Sequence, residues 1–504
     1  MKSLKPSYKD ILSPKALTTL IATAYLLIMF VIYPLYMNNG YVGIDESKFK
    51  FYLYTSIGGV LLLLLTGAIL LIKSFKNFNK TDGFVLLFLT FTVISFFISD
   101  YREEALLGTQ GWFMGLVTIL IYLFLYILIS RLWDFSEFVI YAALIAAFIV
   151  YVLAILDRFS LYIIPLEVRA PSFISTIGNI NWLMGYYSVL TPVGVSLFLC
   201  ELKENGWRIK SYLLLVFSIV SFMAGFAQGS ESVFLFDIAL FIGLIVMAYK
   251  NVIRLKDVAL IMILWSLGAQ IVRFLRYILD GYNYDSDGLC GVMTSTNITL
   301  YMLILSVFLY WILNKNEEYK KMTVVYKGIF ISIFSLLIFW IVMGILNTKG
   351  ILNIDNGLLK FNEAFGHGRG EAYKISIKGF GRMPVKNMIF GIGPDCLSAY
   401  LYNIRDIADE IVSYWPGDRL ANAHSEPLTV LVNGGILGVI TYFGIFASFI
   451  FDTLKKHKNN MIWCTTLAAF TYIVHNLISF SQILNTPFIF ILLGMGMSLK
   501  MSQE

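Results

Sequence analysis

The run FYLYTSIGGVLLLLLTGAILLI, from Phe51 to Ile72, holds 22 residues without a charge and is bracketed by Lys50 and Lys73. A helix rises about 1.5 Å per residue and a bilayer's hydrocarbon core is about 30 Å thick, so a run of this length crosses it as one helix. The pattern recurs on both sides of it. Before it comes Leu17 to Met37, and after it Gly83 to Ser99, Trp112 to Ser130, Phe138 to Leu156, Ile180 to Cys200 and Tyr212 to Gln228. Ser232 to Tyr249, Val258 to Arg276, Thr294 to Leu313, Gly328 to Leu346, Pro427 to Phe451, Met461 to Phe480 and Thr486 to Leu499 complete the set. The fold class this predicts is all-α, a polytopic integral membrane protein of about fourteen transmembrane helices.

Composition agrees: of 504 residues 58% are hydrophobic and 14% charged, and the charges cluster between the apolar runs. Lys2, Lys5, Lys9 and Lys15, then Lys73, Lys76, Lys80, Arg131, Lys203, Arg208 and Lys210 fall on one side of the predicted spans. Lys250, Arg254, Lys256, Lys315, Lys320, Lys321, Lys327, Lys455, Lys456, Lys458 and Lys500 join them. Positive short loops stay in the cytoplasm, so both termini are expected there. The first run is longer than a signal peptide's apolar part and no small-residue cleavage site follows it, so it is expected to remain as a span. The net charge of +6 is accounted for by these anchors and by anionic lipid, and argues for no nucleic-acid partner.

Four cysteines are too few for a disulfide scaffold. Cys200 and Cys464 fall in predicted spans as small apolar residues, while Cys290 and Cys396 both fall on the outer side, where a bridge is open. No zinc spacing appears.

One loop, Asn347 to Ser425, is far longer than the rest, rich in Gly and charge, and extracytoplasmic by this topology. Long ordered loops tend to carry function. The chain therefore divides into N-terminal helices (1–346), the loop (347–425) and C-terminal helices (426–504). Within the loop, Glu371 to Phe380 reads as an amphipathic helix with Tyr373, Ile375 and Ile377 near Lys374 and Lys378, expected to lie along the membrane surface.

Three of the four histidines, His367, His424 and His475, fall toward the outer face, and His457 is cytoplasmic. A neutral imidazole can take a proton from an attacking hydroxyl; the plainer reading is an interfacial hydrogen-bonded histidine. Arg369 sits in Gly366-His367-Gly368-Arg369-Gly370, where glycines allow close backbone approach and a guanidinium can clamp phosphate oxygens, or else touch lipid headgroups. Arg273 and Arg276 share a helix face, with Asp280 beyond, either as a second anionic site or as snorkelling span-end anchors. Asp237 lies within a span, marking a pathway or pairing with Arg273. Asn283-Tyr284-Asp285-Ser286-Asp287-Gly288 has the first half of a calcium-loop pattern, but its twelfth position is Thr294, so no metal is expected there.

Gly368-Arg369-Gly370-Glu371, Asn387-Met388-Ile389-Phe390-Gly391-Ile392-Gly393-Pro394, Ala423-His424-Ser425-Glu426-Pro427-Leu428 and Gly434-Gly435-Ile436-Leu437-Gly438 together resemble, in order and spacing, the O-antigen ligase and polymerase superfamily. Ile177-Gly178-Asn179-Ile180-Asn181-Trp182 and His475-Asn476 add to the likeness, which covers Ser172 to Met497. The resemblance implies a metal-independent, cofactor-free membrane glycosyltransferase of the GT-C type in the bacterial cytoplasmic membrane. Its donor would be an undecaprenyl-diphosphate-linked glycan, used on the outer face, and its acceptor a saccharide, a lipid or a cell-wall polymer. Membrane lipid and polysaccharide-assembly proteins are the further partners implied. Mapped here, Arg369 would stabilise the leaving diphosphate and His424 would orient or deprotonate the acceptor. Asn181, Lys378, Glu426 and His475 join them as expected substrate-binding residues.

One position departs from the resemblance. Where many relatives carry an arginine after a serine, this chain reads Gly229-Ser230-Glu231-Ser232. A carboxylate does not bind diphosphate, so Arg273, Arg276 or Arg169 would supply a second cation. Two rival readings follow from the same residues: a lipid-oligosaccharide flippase, with no need for His424, and a non-catalytic assembly protein, which Glu231 favours.

Overall fold

The protein is described from a computed structural model covering residues 13–503, apart from 167, 284–287, 316–322, 355–356 and 456–458. Lys2, Lys5, Lys9, Tyr284 to Asp287, Lys320, Lys321, Lys456, His457 and Lys458 lie outside the described residues. The chain is 76% helical. Its described strands form one short antiparallel hairpin, Phe173–Ile174 with Gly178–Asn179.

A helix stands at each of the fourteen expected runs, and eleven of these helices are long and apolar enough to cross a membrane. The other three, Leu116–Leu132, Asn460–His475 and Thr486–Met501, have 17, 16 and 16 residues. At about 1.5 Å per residue they reach roughly 24–26 Å, short of a full bilayer core. They are also among the most enclosed. Thr486–Met501 is buried from Thr486 to Lys500, and Ile180–Asn205, which packs on Asn460–His475, is buried along nearly its whole length. These helices form the centre of the bundle, where chain ends can unwind against protein instead of lipid. Small residues permit the close packing: a Cβ on Gly494 would stand 3.0 Å from the Tyr126 carbonyl oxygen. At the periphery, Thr323–Thr348 presents almost all its side chains outward, as a lipid-facing helix does.

Two of the described membrane-length helices depart from regular α geometry in ways that neighbouring donors compensate. The first, Pro14–Leu27, passes through a π-turn at Ile28–Ile32 into Tyr33–Leu35, where Pro34 removes a backbone donor. The helix ends at Leu35, and its last carbonyls accept from the fully buried Lys48, whose Nζ lies 2.7 Å from Tyr33 O and 3.0 Å from Pro34 O. The second stands at the expected run Pro427 to Phe451: Glu426–Thr453, long and apolar enough to cross a membrane, breaks at Gly435 (φ 67°, ψ −170°). The carbonyls released by the break accept from the motif loop: Ile392 N donates to Val432 O at 3.2 Å and Gly393 N to Asn433 O at 3.1 Å. Ser95 Oγ adds a second donor to Asn433 O at 2.9 Å. Non-helical backbone is thus tolerated because protein donors satisfy it.

Residues 365–414 form four short helices, Phe365–Phe380, Val385–Phe390, Leu397–Tyr402 and Arg405–Tyr414, around a second apolar core. Ala372, Ile375, Leu401, Ile407 and Ile411 are fully buried in it. The amphipathic helix therefore turns its apolar face to this core instead of lying along lipid. Helical periodicity places Ala372, Ile375, Ser376 and Gly379 inward, and leaves Ile377 57% exposed. Cys290 and Cys396 are buried and free, so no bridge joins them.

Candidate functional site

The connection between helices Ile209–Ala227 and Ser232–Tyr249 is the turn Gln228-Gly229-Ser230-Glu231. Gly229 takes φ 95°, which a glycine adopts without strain. Gln228 closes the turn on itself: its Oε1 accepts from Ser230 N at 2.6 Å and its Nε2 donates to Ser230 O at 2.8 Å. Beneath it Arg158, fully buried, donates to Ala227 O (3.0 Å), Gln228 O (2.5 Å), Pro171 O (2.8 Å) and Asn283 Oδ1 (3.2 Å). A buried cation spent on carbonyls is a structural anchor. The sequence reading passed over it, although an arginine ending the apolar helix Glu137–Arg158 was a visible signal.

From this turn a chain of hydrogen bonds crosses the bundle. Ser230 Oγ donates to Asn181 Oδ1 at 2.8 Å and meets Ser232 Oγ at 2.9 Å. Ser232 Oγ lies 3.2 Å from Nε2 of the buried His475, whose Nδ1 is 3.3 Å from Asn476 Oδ1. Asn476 O in turn accepts from Glu426 N at 2.9 Å. Asn179 caps the next helix by accepting from Asn181 N at 2.8 Å, which fixes Asn181 in its first turn.

The opposite wall comes from the long segment. Gly366, His367 and Gly368 take φ of 60°, 60° and 87°, three consecutive left-handed residues that fold the chain back before the helix resumes. Arg369 Nη1 donates to Gly366 O at 3.0 Å and so braces this turn, while its buried Nε has no partner among the described residues. Burial lowers the Arg369 pKa and the nearby Tyr373 and Glu231 act to raise it; a guanidinium stays charged regardless. His424, also left-handed at φ 50°, donates its N–H to Asn422 Oδ1 at 2.8 Å and sets its ring edge-on to Phe480, centroids 5.4 Å apart. Burial first, and then the Arg369 charge, push its imidazole down to about 4.

These walls enclose a cleft of about 360 Å³ lined by Asn181, Ser230, Gly366 to Arg369, Trp415, Asp418, Arg419 and His424. It joins the half-buried Arg369 guanidinium and that of Arg419 with a neutral imidazole, and an amide and a hydroxyl held in register. Such a set can bind an anion beside a group that accepts a proton.

The expected site residues separate under this geometry. Arg369, His424 and Asn181 line the cleft, and His475 reaches its wall through Ser232 and Ser230. Glu426 faces away, its carboxylate accepting from Ser481 N and Oγ at 2.6 and 2.5 Å. Lys378 lies in an ion-pair cluster with Glu410 (2.7 Å) and Asp406 (3.2 Å). Arg273 donates to Asn297 Oδ1 (2.8 Å), and Arg276 donates to Thr294 Oγ1 (2.7 Å) while lying over the Tyr282 ring, with Asp280 not among these contacts. Arg169 stacks on Tyr162 and stands 3.8 Å from Asp157. None of these four cations lines the cleft. Asp237 accepts from Trp265 Nε1 at 2.8 Å, a partner other than the expected Arg273. Glu231 accepts from Leu289 N at 2.7 Å and approaches His367 Nε2 at 3.6 Å, so it ties the turn to the helix Leu289–Ser295 and to the opposite wall. Among the described residues no group of three or more His, Cys, Asp or Glu side chains is arranged to hold a metal.

Comparison with curated proteins finds no match. The family model described as O-antigen ligase matches residues 288–443, which include Arg369, His424 and the broken first half of Glu426–Thr453. Members of that family transfer glycosyl groups between a lipid-linked glycan and an acceptor in surface-polysaccharide assembly. The match at residues 288–443 supports a place for the chain in the O-antigen ligase/polymerase superfamily.

Proposed function

We propose that this protein transfers an undecaprenyl-diphosphate-linked saccharide to an acceptor hydroxyl on the outer face of the bacterial cytoplasmic membrane. The observation that carries the reading is that Arg369 and His424, 55 positions apart, line one cleft with Asn181 and Ser230. The lysine and arginine distribution supports the outer-face assignment of the 347–425 segment, with both termini cytoplasmic. The acceptor oxygen attacks the anomeric carbon, and the bond from that carbon to the diphosphate oxygen breaks. The hydroxyl proton passes to a ring nitrogen of His424, and the leaving diphosphate draws its stabilisation from the Arg369 guanidinium. Ligase and polymerase differ only in which molecule supplies the hydroxyl, and the same two residues serve both.

The test is complementation of a surface-polysaccharide defect with wild type, His424→Ala and Arg369→Ala at matched membrane levels. Both variants are expected to accumulate unprocessed lipid-linked saccharide on the outer face. Normal processing by either variant, or accumulation on the inner face, would overturn the reading and favour a flippase.

The pH profile supplies an independent check. With the imidazole held near 4, its proton-accepting form persists at every pH above that value, so transfer is expected to stay level from pH 8 to pH 6 and to fall only toward pH 4. Turnover of lipid-linked saccharide in membrane vesicles measures this. A limb centred at the ordinary histidine value of 6.5 would show that His424 does not act from this buried setting.

A further inference from the structure

On the other side of the 422–426 segment lies a second chamber that shares no lining residue with the cleft. It sits between helix Lys80–Ile98, the start of Leu116–Leu132 and the half-helix before the Gly435 break. Its character is the reverse of the cleft's. Two buried acids, Asp395 and Glu426, line it and no basic side chain does. Asp395 is held by Thr109 N (2.7 Å) and Met114 N (3.0 Å), and Glu426 by Ser481, so both carboxylates are fixed in place.

Three polar atoms of its lining residues have no hydrogen-bond partner among the described residues: Trp112 Nε1, Asn422 Nδ2 and Asn433 Oδ1. Asn422 is only 2% exposed, and its amide orientation is set because its Oδ1 already accepts from His424 N. Buried polar atoms left unpaired are costly, so a set of them in one chamber points to a ligand that completes them. An anion would find two carboxyl groups there and no basic side chain to pair with. A cation would face the indole and amide N–H groups. A hydroxyl both donates and accepts, and satisfies every member of the set. Phe88, Ile119 and Tyr122 add apolar walls of the kind that pack a sugar's C–H faces.

We infer that this chamber seats one hydroxylated edge of the uncharged acceptor saccharide, while the acceptor's reacting hydroxyl reaches past the 422–426 segment to the His424 imidazole and the anionic donor in the cleft. The inference rests on the transferase reading above. The chamber measures about 60 Å³, and at roughly 10–15 Å³ for each water-sized group it takes one edge of a sugar ring and not an oligosaccharide. Asn422 links the two sites, one face of its amide holding the His424 backbone and the other facing the acceptor.

Asn422→Asp keeps the oxygen that holds His424 and replaces the unpaired donor with a negative charge. Thr92→Phe, from a different helix, fills the chamber. Each is expected to lower transfer in complemented cells at least about tenfold. Inorganic pyrophosphate, used as a donor-side probe on the purified full-length protein, is expected to raise the melting temperature of both variants as it does that of wild type, but not that of Arg369→Ala. Transfer within twofold of wild type in Asn422→Asp, or loss of its pyrophosphate response, would overturn the acceptor inference and leave the transferase reading intact. Normal transfer by Arg369→Ala would instead overturn the transferase reading itself.

Discussion

Replacing Arg369 by lysine is expected to reduce transfer by at least about 100-fold, the scale on which losing a single preorganised charge-stabilising donor is felt. The residue does two jobs at once: Nη1 braces the left-handed turn through Gly366 O, and the same side chain lines the cleft. A guanidinium can do both because its donors are fixed in one plane. An ammonium has one nitrogen and must choose between the turn and the diphosphate. Arg419 is the control. It lines the same cleft but donates its Nε to Ser398 Oγ at 3.0 Å, so Arg419→Lys is expected to cost less than about tenfold. Conversion of lipid-linked saccharide by membranes of matched protein content measures both. Retention of more than a tenth of the activity by Arg369→Lys would mean that charge alone suffices and that the forked geometry is irrelevant.

The helices of this fold were legible because lipid imposes a simple rule on sequence: long runs without charge, bounded by basic residues. Runs such as Phe51 to Ile72 obey it directly. The rule says nothing of helices that meet only protein, and Thr486–Met501 falls short of a full span because its neighbours, not lipid, cover it. Arg369 and His424 could be singled out because they fall within the motifs that carry the resemblance, in a polar, glycine-rich segment. Arg273, Arg276, Arg169 and Lys378 had the same chemistry but local partners, and sequence does not reveal that Arg276 meets Thr294 or that Lys378 meets Glu410. Long-range pairings were the invisible part. Nothing in the residue pattern ties Ser230 to Asn181, or Glu231 to Leu289, because those contacts depend on how separate helices cross.

The break in Glu426–Thr453 was equally hidden, and it yields the largest expected effect on stability. Gly435 combines φ 67° with ψ −170°, a region essentially closed to other residues. A Cβ there would stand 2.5 Å from Ile389 C and 2.6 Å from Gly391 N, and backbone atoms cannot swing aside as a side-chain tip can. Relieving the clash means parting the helix from the 391–393 loop, which removes the donors that satisfy Val432 O and Asn433 O within the bundle. Gly435→Ala is therefore expected to lose more than about 4 kcal/mol, seen as a sharp fall in folded yield and melting temperature of the solubilised protein. Gly438, three residues on, has regular helical backbone and no neighbour closer than 3.7 Å to an added Cβ, so Gly438→Ala is expected to be neutral or stabilising by up to about 1 kcal/mol. A Gly435→Ala protein as stable as the Gly438→Ala control would mean that the helix runs straight through this point. Glu426 and the 422–426 wall would then be oriented by something other than the docked motif loop.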